Sequence, residues 1–417
     1  MYDVVVVGAG ASGIMAAIAA ARSGCNVCLV EKSSRIGQKI LATGNGRCNL
    51  SNSAINSAIC AGVCEDEKYY LAHSLADAYN NPAFVADVLS KYDYASIIAY
   101  FNELGLLTTC DLRGWAYPKT RWANSVLDVL RNAITRFGIT VMLKTAITDI
   151  IPCNNGGFSA LVGNTALNAN KIVLATCKAQ SYSGLSRLKI MSAQPILGPL
   201  QVPAQAIRGL DGVRTDAQIL LIRGGSETNS KANSKANNEV FSEVGELHFR
   251  KDSLSGIAIF NVSRYAQTGM MLCINLMPEL TYDELNELLQ KRFRYLSDAT
   301  MQEFLTGMLH TRLIASVLAY AGLNPDDYIS KQCLQQISMA LTNFRLPITG
   351  LPTFAQAQVT RGGYLTQRFN SATLQSQDYP GLFACGECLD IDGPCGGYNL
   401  HWAWASGTVA GMSAGTL

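Results

Sequence analysis

Long apolar runs and charged residues are both scarce in this chain of 417 residues. No stretch reaches the roughly 18 consecutive apolar residues that a membrane-spanning helix needs, so no membrane segment is expected. Charged residues make up 15% of the sequence and the net charge is +2, so no strong field favours nucleic acid or an anionic membrane. A basic leader of the secretory type is also lacking, and a cytoplasmic location is expected.

Histidine is scarce as well, and it does not cluster with cysteine. The four histidines, His73, His248, His310 and His401, lie far apart in sequence, which disfavours a metal site. The thirteen cysteines follow no repeating framework and their number is odd, so they are expected to be reduced thiols. No G-x-S-x-G nucleophile motif stands out. With 48% apolar residues, the composition is ordinary for a soluble enzyme of two or three domains.

The segment VVVVGAGASGIMAAIAAARSGCNVCLVEK, residues 4–32, has the layout of a dinucleotide-binding unit. Val4–Val7 is a short β-branched run that is typical of a parallel strand covered on both faces. Gly8, Gly10 and Gly13 then follow with GxGxxG spacing. The first allows a tight turn, the second allows close approach of a pyrophosphate, and the third allows the helix to pack on the strand.

The rest of this segment supplies a helix, a second strand and an acid. The periodicity predicts a helix from Ala11 to Ser23, whose N-terminal amides would face a phosphate group. The strand Val27–Val30 brings Glu31 to its carboxyl end, 18 residues after Gly13. A carboxylate there can bind a ribose diol and disfavours a 2′-phosphate, so the unit suits FAD or NAD rather than NADP.

Two more glycine-rich segments lie at opposite ends of the chain: GQKILATGNGRCNLSN at 37–52 and YPGLFACGECLDIDGPCGGYNLHWAWASGTVAG at 379–411. In the second, an apolar strand leads into Glu387, and a glycine pair precedes a helix that begins near Tyr398 or Asn399. A ligand that contacts both ends must be long. FAD fits better than NAD, with its ribityl chain near Glu387 and its isoalloxazine ring near the helix N-terminus.

The intervening chain shows mixed patterns. Helices are predicted between Glu67 and Phe137, one of them starting at Asn81 and Pro82 as N-cap and N1, and three or four more between Thr281 and Asn343 with a break at Asn324 and Pro325. Strands are predicted at Val141–Met142, Ala160–Val162, Lys171–Thr176, Ala217–Ile222 and Met270–Leu276. The polar segment GGSETNSKANSKANNE, 224–239, is interpreted as a hairpin tip.

The chain resembles the YhiN-like or BaiN-like NAD(P)/FAD-dependent oxidoreductases, also called the aminoacetone oxidase family. The matching motifs are GAGASGIMAAIAAARSG, GQKILATGNGRCNLSN, GELHFRKDSLSGIAIFNVSR, QVTRGGYLTQRFNSATLQSQDYPGLFACGECLDIDG and GGYNLHWAWASG. The resemblance implies an α/β fold with a Rossmann-like parallel sheet. Residues 1–190 and 345–417 would form the FAD-binding domain, with a β-rich, barrel-like domain at 191–277 and a small helical domain at 278–344 inserted between them.

The resemblance also implies the cofactor contacts. The adenosine and phosphates would be bound by Gly8, Ala9, Gly10, Ser12, Gly13, Glu31 and Lys32. Residues nearer the flavin would be Lys39, Gly44, Asn45, Gly46, Arg47 and Asn49, with Ala175 and Thr176 at the end of a central strand. Gly386 and Glu387 would lie on the ribityl side, and Gly396, Gly397, Tyr398 and Asn399 beside the isoalloxazine.

Three departures from the family pattern lie toward the cofactor or substrate. The family usually has ATGG where this chain has ATCK at 175–178, and it has an Arg-containing motif where this chain has GWAYP at 114–118. His401 stands where the family usually has Gln. The resemblance therefore does not assign a substrate. Trp115 and Tyr117 are candidates to line the substrate side, and aromatic core packing explains them equally well.

Two side chains are catalytic candidates. His401 lies one helical turn from Tyr398 and is a candidate proton donor, with a hydrogen-bonded helix residue as the alternative. Arg47 would stabilise negative charge on a reduced flavin, or would pair with a phosphate or carboxylate. Cys385 and Cys388 form a C-x-x-C motif, but a redox dithiol is disfavoured because Glu387 between them already has a ribityl role.

The leading functional hypothesis is an FAD-dependent reductase of an activated C=C bond, which follows from family members linked to steroid-ring enone reduction and to uridine reduction in ribosomal RNA. No second complete GxGxxG unit appears, so NAD(P)H would visit the flavin face transiently as electron donor. The alternatives are an oxygen-using amine oxidase and a low-turnover FAD-binding redox or RNA-associated protein. A small-molecule acceptor is favoured, because the net charge does not support binding to ribosomal RNA.

Overall fold

The structure is a computed structural model that describes residues 1–55, 78–224 and 238–416. Within them the chain forms two compact units. The first contains the described residues up to Gln194 together with those from Val359 onward, and the second is Pro195–Gln358. The first part of the region in which helices were predicted, residues 67–77, and most of the proposed hairpin tip at 224–239 lie outside the described residues.

The elements follow one another along the chain. The first stretch contains β1 (Tyr2–Val7), α1 (Ala11–Arg22), β2 (Val27–Val30), β3 (Ser51–Asn52), α2 (Pro82–Leu89), α3 (Tyr94–Leu104), β4 (Thr108–Cys110), β5 (Trp115–Pro118), α4 (Ala123–Arg136), β6 (Thr140–Met142), β7 (Asp149–Pro152), β8 (Phe158–Val162), β9 (Thr165–Leu174) and β10 (Ile190–Ile196). The middle contains β11 (Leu200–Gln201), β12 (Arg214–Ile222), β13 (Glu239–Phe249), β14 (Ser253–Ser255), α5 (Ile257–Ser263), β15 (Met271–Asn275), α6 (Tyr282–Tyr295), α7 (Met301–Leu305), α8 (Thr311–Tyr320), α9 (Lys331–Thr342) and β16 (Phe344–Pro347). The final stretch contains β17 (Val359–Tyr364), β18 (Leu382–Ala384) and α10 (Tyr398–Thr416).

A parallel sheet forms the centre of the first unit, with strand order β6-β2-β1-β9-β18. Its central strands are runs of valine and leucine that are buried along β2 and along most of β1. Such continuous apolar runs are expected where both faces of a parallel sheet are covered. The predicted α/β class with a Rossmann-like sheet assembled from both chain ends is therefore confirmed.

An antiparallel meander extends the same sheet, because β8 pairs with β9 and β7 pairs with β8. The two short strands predicted at Val141–Met142 and Ala160–Val162 are both present, but they have different partners in the sheet. Ala160–Val162 lies in the meander, whereas Val141–Met142 lies in β6, the parallel edge strand beside β2. A run of two or three apolar residues does not specify its partner, so only the tertiary structure separates the two.

Helix α10 packs closely against α1. A Cβ on Gly407 would lie 2.3 Å from the carbonyl oxygen of Ser12, and one on Gly411 would lie 2.2 Å from that of Ala16. Only glycine fits at such distances. Helix α10 is buried along most of its length, including Trp402 and Trp404, so it fills the layer beside the N-terminal βαβ unit.

The second unit combines an antiparallel sheet with helices around one hydrophobic core. The strand order is β11-β14-β13-β12-β15-β16, and the two edges meet through a bridge between Gln201 and Gly350. Gln201 N donates to Gly350 O and Thr349 N donates to Gln201 O, each at 2.9 Å, so the sheet closes on itself in a barrel-like way. Helices α6 and α7 begin with capping boxes at Thr281 and Thr300.

The observed units require a correction to the expected domain boundaries. The β-rich and helical segments share one core within Pro195–Gln358 rather than forming separate domains. The residues after 345 were assigned to the cofactor domain, but β16 pairs with β15, so the second unit continues to Gln358. The apolar face of the sheet needs helices to cover it, which explains why the two segments do not separate.

Among the described residues, no helix has both the length and the apolar character needed to cross a membrane.

Candidate functional site

The glycine turn between β1 and α1 has the shape that the sequence predicted. Gly8 has φ +106°, and a Cβ there would lie 2.6 Å from the carbonyl oxygen of Ala175. A Cβ on Gly13 would lie 1.8 Å from the Gly8 carbonyl oxygen, whereas one on Gly10 would meet nothing within 4 Å. The first and third glycines are therefore required by packing. The second leaves open space at the N-terminus of α1, where a pyrophosphate fits.

Glu31 lies against this turn. Its Oε2 accepts a hydrogen bond from the Ala9 amide at 2.9 Å, and its Oε1 accepts one from the Ser33 amide at 2.8 Å. A carboxylate has about four lone-pair sites, so both oxygens keep capacity to accept further bonds from a ribose diol. The donor set and the open space above Gly10 fit the adenosine and pyrophosphate portion of FAD.

The segment that begins with Gly386 contacts the first turn of α1, so both chain ends contribute to one site. Gly386 has φ +71°, a Cβ there would lie 2.3 Å from Ser12 Oγ, and its amide donates to Ser406 Oγ at 3.0 Å. The next residue, Glu387, accepts a hydrogen bond from Lys39 Nζ at 3.2 Å. Burial raises the pKa of Glu387, and the Lys39 charge opposes that increase. The contact of Glu387 with a ribityl chain stays a prediction.

The loop at 44–49 has a left-handed backbone at several successive positions. Gly44 has φ +55°, Asn45 +56° and Gly46 +82°. Glycine and asparagine tolerate this region best, which explains the local composition. The side chain of Arg47 is exposed. The Asn49 amide, oriented to satisfy its neighbours, donates to the carbonyl oxygens of Ser51 and Ala116 and accepts from the Gly397 amide at 3.2 Å.

The glycine pair before α10 packs directly on β3 and β5. A Cβ on Gly397 would lie 2.5 Å from the carbonyl group of Ser51, and one on Gly396 would lie 3.0 Å from Trp115 Nε1. The Gly396 carbonyl oxygen accepts a hydrogen bond from Asn52 Nδ2 at 3.0 Å. The loop at 44–49 and the segment at 396–399 therefore meet in one place, and their contacts with one ring system stay a prediction.

The side chains after the pair are engaged within the protein. The Asn399 amide accepts from Gly393 N at 2.8 Å and donates to the carbonyl oxygens of Gly393 and Pro394. Tyr398 is buried, and its carbonyl oxygen accepts from Tyr79 Oη at 2.9 Å. Both residues help to fix the loop shape, and their contacts with a flavin ring stay predictions.

His401 is fully buried and both of its ring nitrogens have partners. Nε2 lies 3.0 Å from the carbonyl oxygen of Tyr92, which can only accept, so Nε2 carries the proton and Nδ1 accepts from Ser51 Oγ at 2.8 Å. Burial lowers the pKa of His401 to about 4. This geometry favours the alternative of a hydrogen-bonded helix residue. The proposed catalytic roles of His401 and Arg47 stay predictions.

The remaining predicted positions are Ala175, Thr176 and Lys32. Ala175 is buried and its amide donates to the Val7 carbonyl oxygen at 2.9 Å, while Thr176 Oγ1 donates to Lys178 O at 2.7 Å. Lys32 is exposed. The ATCK segment therefore forms a turn after β9, next to Gly8, and the hydrogen bond between the Thr176 hydroxyl and the Lys178 carbonyl oxygen closes this turn.

The two thiols of the C-x-x-C motif are inaccessible to solvent. Cys385 and Cys388 both have 0% exposure, and Cys388 Sγ donates to the carbonyl oxygen of Leu174 at 3.2 Å. Burial raises the pKa of Cys385 to about 12 and holds the pKa of Cys388 well above the usual value of a thiol. Since the thiolate is the reactive form, this environment argues against redox chemistry at the pair.

Sequence reasoning did not find the ion pair between Arg361 and Asp392. Asp392 is fully buried and binds Arg361 through two hydrogen bonds of 2.7 and 2.9 Å. The backbone amide of Asp392 also donates a hydrogen bond to Asn80 Oδ1 at 2.8 Å. The pair holds the chain immediately before the loop that leads to the glycine pair. The only indication in the sequence was an arginine beside Gly362 and Gly363 within a long motif.

Comparison with known proteins identifies the family. The model of the HI0933-like protein Rossmann domain matches residues 2–413. The chain belongs to the HI0933-like family. It is 30% identical to a 3-dehydro-bile acid delta(4,6)-reductase of Clostridium scindens, with 99% of each chain covered. It is 26% identical to a ribosomal RNA dihydrouridine synthase of Escherichia coli, with 97% of this chain and 96% of that chain covered.

A solved structure has the same fold. The 3-ketosteroid-delta4-(5alpha)-dehydrogenase of Rhodococcus jostii aligns over 100% of this chain and 97% of its own, with a TM-score of 0.50 and 15% identity. The family, the relatives that match over the full length and the dinucleotide site assembled from both ends lead to one conclusion. This HI0933-like protein is an FAD-dependent oxidoreductase.

Proposed function

We propose that the protein reduces a C=C bond that is conjugated with a carbonyl group in a small-molecule acceptor, with NAD(P)H as electron donor. The observation that supports this most is the full-length similarity to two relatives. One is named for reduction at delta(4,6) positions of a 3-dehydro bile acid, and the other for making dihydrouridine. Both names describe addition of hydrogen across a C=C bond, although the acceptors differ greatly in size.

The chain's own residues would bind and orient the cofactor. The open space above Gly10 and the amides of α1 would hold the pyrophosphate, and Glu31 would hold the ribose diol. The Lys39–Glu387 pair would lie along the ribityl chain. When bound, FAD supplies the two-electron hydride chemistry, so the protein contributes binding, orientation and electrostatics.

The residues around the glycine pair would hold the isoalloxazine part of FAD. Helix α10 spans 19 residues and begins at Tyr398, so the positive end of its dipole lies next to Gly397. Such a helix terminus stabilises nearby negative charge. His401 is unsuited to donate a proton, because its Nε2–H is bound to the Tyr92 carbonyl oxygen and the ring is fully buried. A water molecule or another side chain would therefore supply the proton to the acceptor.

The donor and the acceptor would use the same cleft in turn. The sequence contains one complete GxGxxG unit with its strand, helix and acid, at residues 4–31. NAD(P)H would therefore bind transiently beside the residues that hold the cofactor, leave as NAD(P)⁺ after giving up its hydride, and be replaced by the acceptor. This order predicts ping-pong kinetics.

Anaerobic stopped-flow absorbance tests the proposal. The purified holoenzyme is mixed with NADH or NADPH while absorbance near 450 nm (roughly where oxidised flavins absorb) is followed. Bleaching by one donor, followed by recovery on addition of a 3-oxo-4-ene steroid, is expected. Absence of bleaching by both donors would refute the nicotinamide link. If the enzyme consumed oxygen rapidly with simple amines and an enone did not reoxidise the reduced flavin, the protein would be an amine oxidase rather than a reductase.

A further inference from the structure

Two consecutive residues before α2, Tyr79 and Asn80, bind both ends of the segment 392–398 that leads into α10. Tyr79 Oη donates a hydrogen bond at 2.9 Å to the carbonyl oxygen of Tyr398, the first residue of α10. At the other end, Asn80 Oδ1 accepts from the Asp392 amide at 2.8 Å, and the Asn80 amide donates to the Asp392 carbonyl oxygen at 3.1 Å. We call Tyr79 and Asn80 the loop clamp, and residues 392–398 the clamped loop.

The side chains of the loop clamp fit the clamped loop closely. Asn80 Nδ2 donates to the Asp390 carbonyl oxygen at 3.2 Å and to Asp390 Oδ1 at 3.3 Å, so both ends of the side-chain amide are used. The Tyr79 ring is 3% exposed and packs edge-to-face against the Tyr398 ring, with 6.0 Å between the ring centres. A Cβ on Gly393 would lie 3.0 Å from Tyr79 Cε1 and from Tyr398 Cβ. Gly393 therefore lies between the two tyrosines, where a side chain would not fit.

The clamped loop needs contacts from outside to hold one shape. Gly396 and Gly397 have φ +107° and +101°, and glycine has more backbone freedom than any other residue. Asn49 and Asn52 bind this glycine pair, whereas the loop clamp binds the ends of the loop. The hydrogen bonds of the clamp join residues 319 and 312 positions apart. The position of the loop thus depends on a distant part of the chain.

The clamped loop sets where the first turn of α10 begins. The His401 amide donates to the Gly397 carbonyl oxygen at 2.9 Å, and the amides before it have no acceptor within the helix. These amides form the positive end of the helix dipole, whose effect on a charge falls off within about one turn. The Tyr398 carbonyl group that Tyr79 binds belongs to this same turn. A small displacement of Tyr398 would therefore change the field in front of the helix.

We propose that the loop clamp holds the start of α10 against the isoalloxazine ring and thereby raises the reduction potential of bound FAD. The inference rests on the proposed placement of the ring beside residues 396–399. Reduction puts negative charge on the ring, and a helix N-terminus held close to that charge stabilises it. Tyr79 and Asn80 act through the loop that they bind, so they are positioning residues.

The first test is Tyr79→Phe, which removes the hydroxyl group and keeps the ring that packs on Gly393. The purified holoenzyme is reduced stepwise with dithionite, without air, in the presence of a reference dye. At a fixed dye ratio, the ratio of reduced to oxidised flavin is expected to fall about 5-fold, equal to about 20 mV for a two-electron couple. Tyr320→Phe is the matched control, because it removes a hydrogen bond of the same kind, from Tyr320 Oη to Asn343 O at 3.1 Å, within the second unit.

The second test is Asn80→Ala, which releases the other end of the clamped loop. Amide hydrogen exchange of residues 392–400 in the apoprotein is expected to be faster than in the wild type, because local opening requires fewer bonds to break. The flavin ratio is expected to shift in the same direction as for Tyr79→Phe. Asn324→Ala is the control, since Asn324 also binds neighbouring residues through its side-chain amide, at a turn of the second unit.

The outcomes separate this inference from a purely structural role and from the proposed function. If both clamp variants lowered the unfolding temperature or the flavin content but left the flavin ratio at the wild-type value, the clamp would be structural only and the proposal wrong. Faster exchange at 392–400 with an unchanged flavin ratio would contradict it too. Because dithionite replaces NAD(P)H, a shifted ratio supports the clamp even where neither nicotinamide bleaches the flavin and the proposed reductase fails.

Discussion

Single polar side chains at the site each join separate segments of chain. Glu31 bonds two backbone amides, one in the glycine turn and one after β2, and so holds the turn in the shape that leaves space above Gly10. A group of this kind acts on cofactor binding in two ways. It supplies acceptor capacity for the ribose, and it keeps the turn ready for the pyrophosphate before the cofactor arrives.

Replacing Glu31 with Gln should therefore weaken FAD binding roughly 10- to 100-fold, since hydrogen bonds to a charged group contribute about 1.5–3 kcal/mol. Titration of the apoprotein with FAD, followed by flavin fluorescence, gives the dissociation constant. Glu103→Gln is the control, because it breaks an exposed pair with Arg22 at 2.8 Å and leaves the turn intact. Equal affinities for both variants would mean that Glu31 does not contact the cofactor.

The buried imidazole of His401 predicts a pH effect on stability. Its pKa is lowered from 6.5 to about 4 by burial. Between these values the unfolded chain binds a proton that the folded chain does not, so stability is complete above pH 6.5 and falls as the pH falls toward 4. The loss is about 3 kcal/mol, at about 1.4 kcal/mol per pKa unit.

His401→Gln should flatten this dependence. Urea unfolding midpoints measured between pH 4 and 7 would show a smaller acid-induced decrease in the variant than in the wild type. His310→Gln is the comparison, since His310 is exposed at the start of α8. Parallel pH profiles for the wild type and the His401 variant would contradict the buried neutral tautomer.

At the scale of secondary structure, the junction between β3 and the glycine pair tolerates no added atoms. Gly397→Ala would combine φ +101° with a Cβ 2.5 Å from the Ser51 carbonyl group. Backbone atoms cannot move aside as a side chain can, so a loss of about 3 kcal/mol is expected together with a reduced flavin content. Thermal unfolding and the ratio of flavin to protein absorbance measure both effects.

Gly24→Ala is the matched variant. Gly24 follows α1 with φ +89°, and a Cβ there would meet nothing within 4 Å. It therefore isolates the backbone strain, which should cost about 1 kcal/mol, from the steric conflict. If both variants lost the same stability and kept the same flavin content, the close packing on β3 would be unimportant.

Local patterns predicted the elements well where a short segment is self-contained. Strand Val27–Val30 has the predicted limits, α1 ends one residue earlier than predicted, and Asn81 and Pro82 are the N-cap and N1 of α2. Contacts between residues that are distant in sequence could not be predicted from local patterns. The contact between Ser51 and His401 joins residues 350 positions apart, and no local pattern specifies which buried polar group binds another. The role expected for His401 depended on that missing partner.

At the scale of the whole molecule, the second unit has what it needs to fold alone. It has its own hydrophobic core, the Gln201–Gly350 bridge closes its sheet, and its ends meet where the Gln358 amide donates to Leu197 O at 3.1 Å. Residues 195–358 expressed alone should unfold cooperatively, as followed by circular dichroism. Residues 1–194 expressed alone lack β18 and α10, so they should not show a cooperative unfolding transition. A non-cooperative transition for 195–358 would show that its core depends on the first unit.

The close packing of α10 on α1 also affects biosynthesis. A ribosome makes α1 nearly 400 residues before the glycine-faced helix that covers it. During elongation the apolar surface of α1 that α10 will cover is exposed to solvent. The second unit, Pro195–Gln358, can already fold outside the exit tunnel at that stage. Nascent chains halted before residue 398 are therefore expected to need chaperone protection and to be degraded more readily than full-length chains.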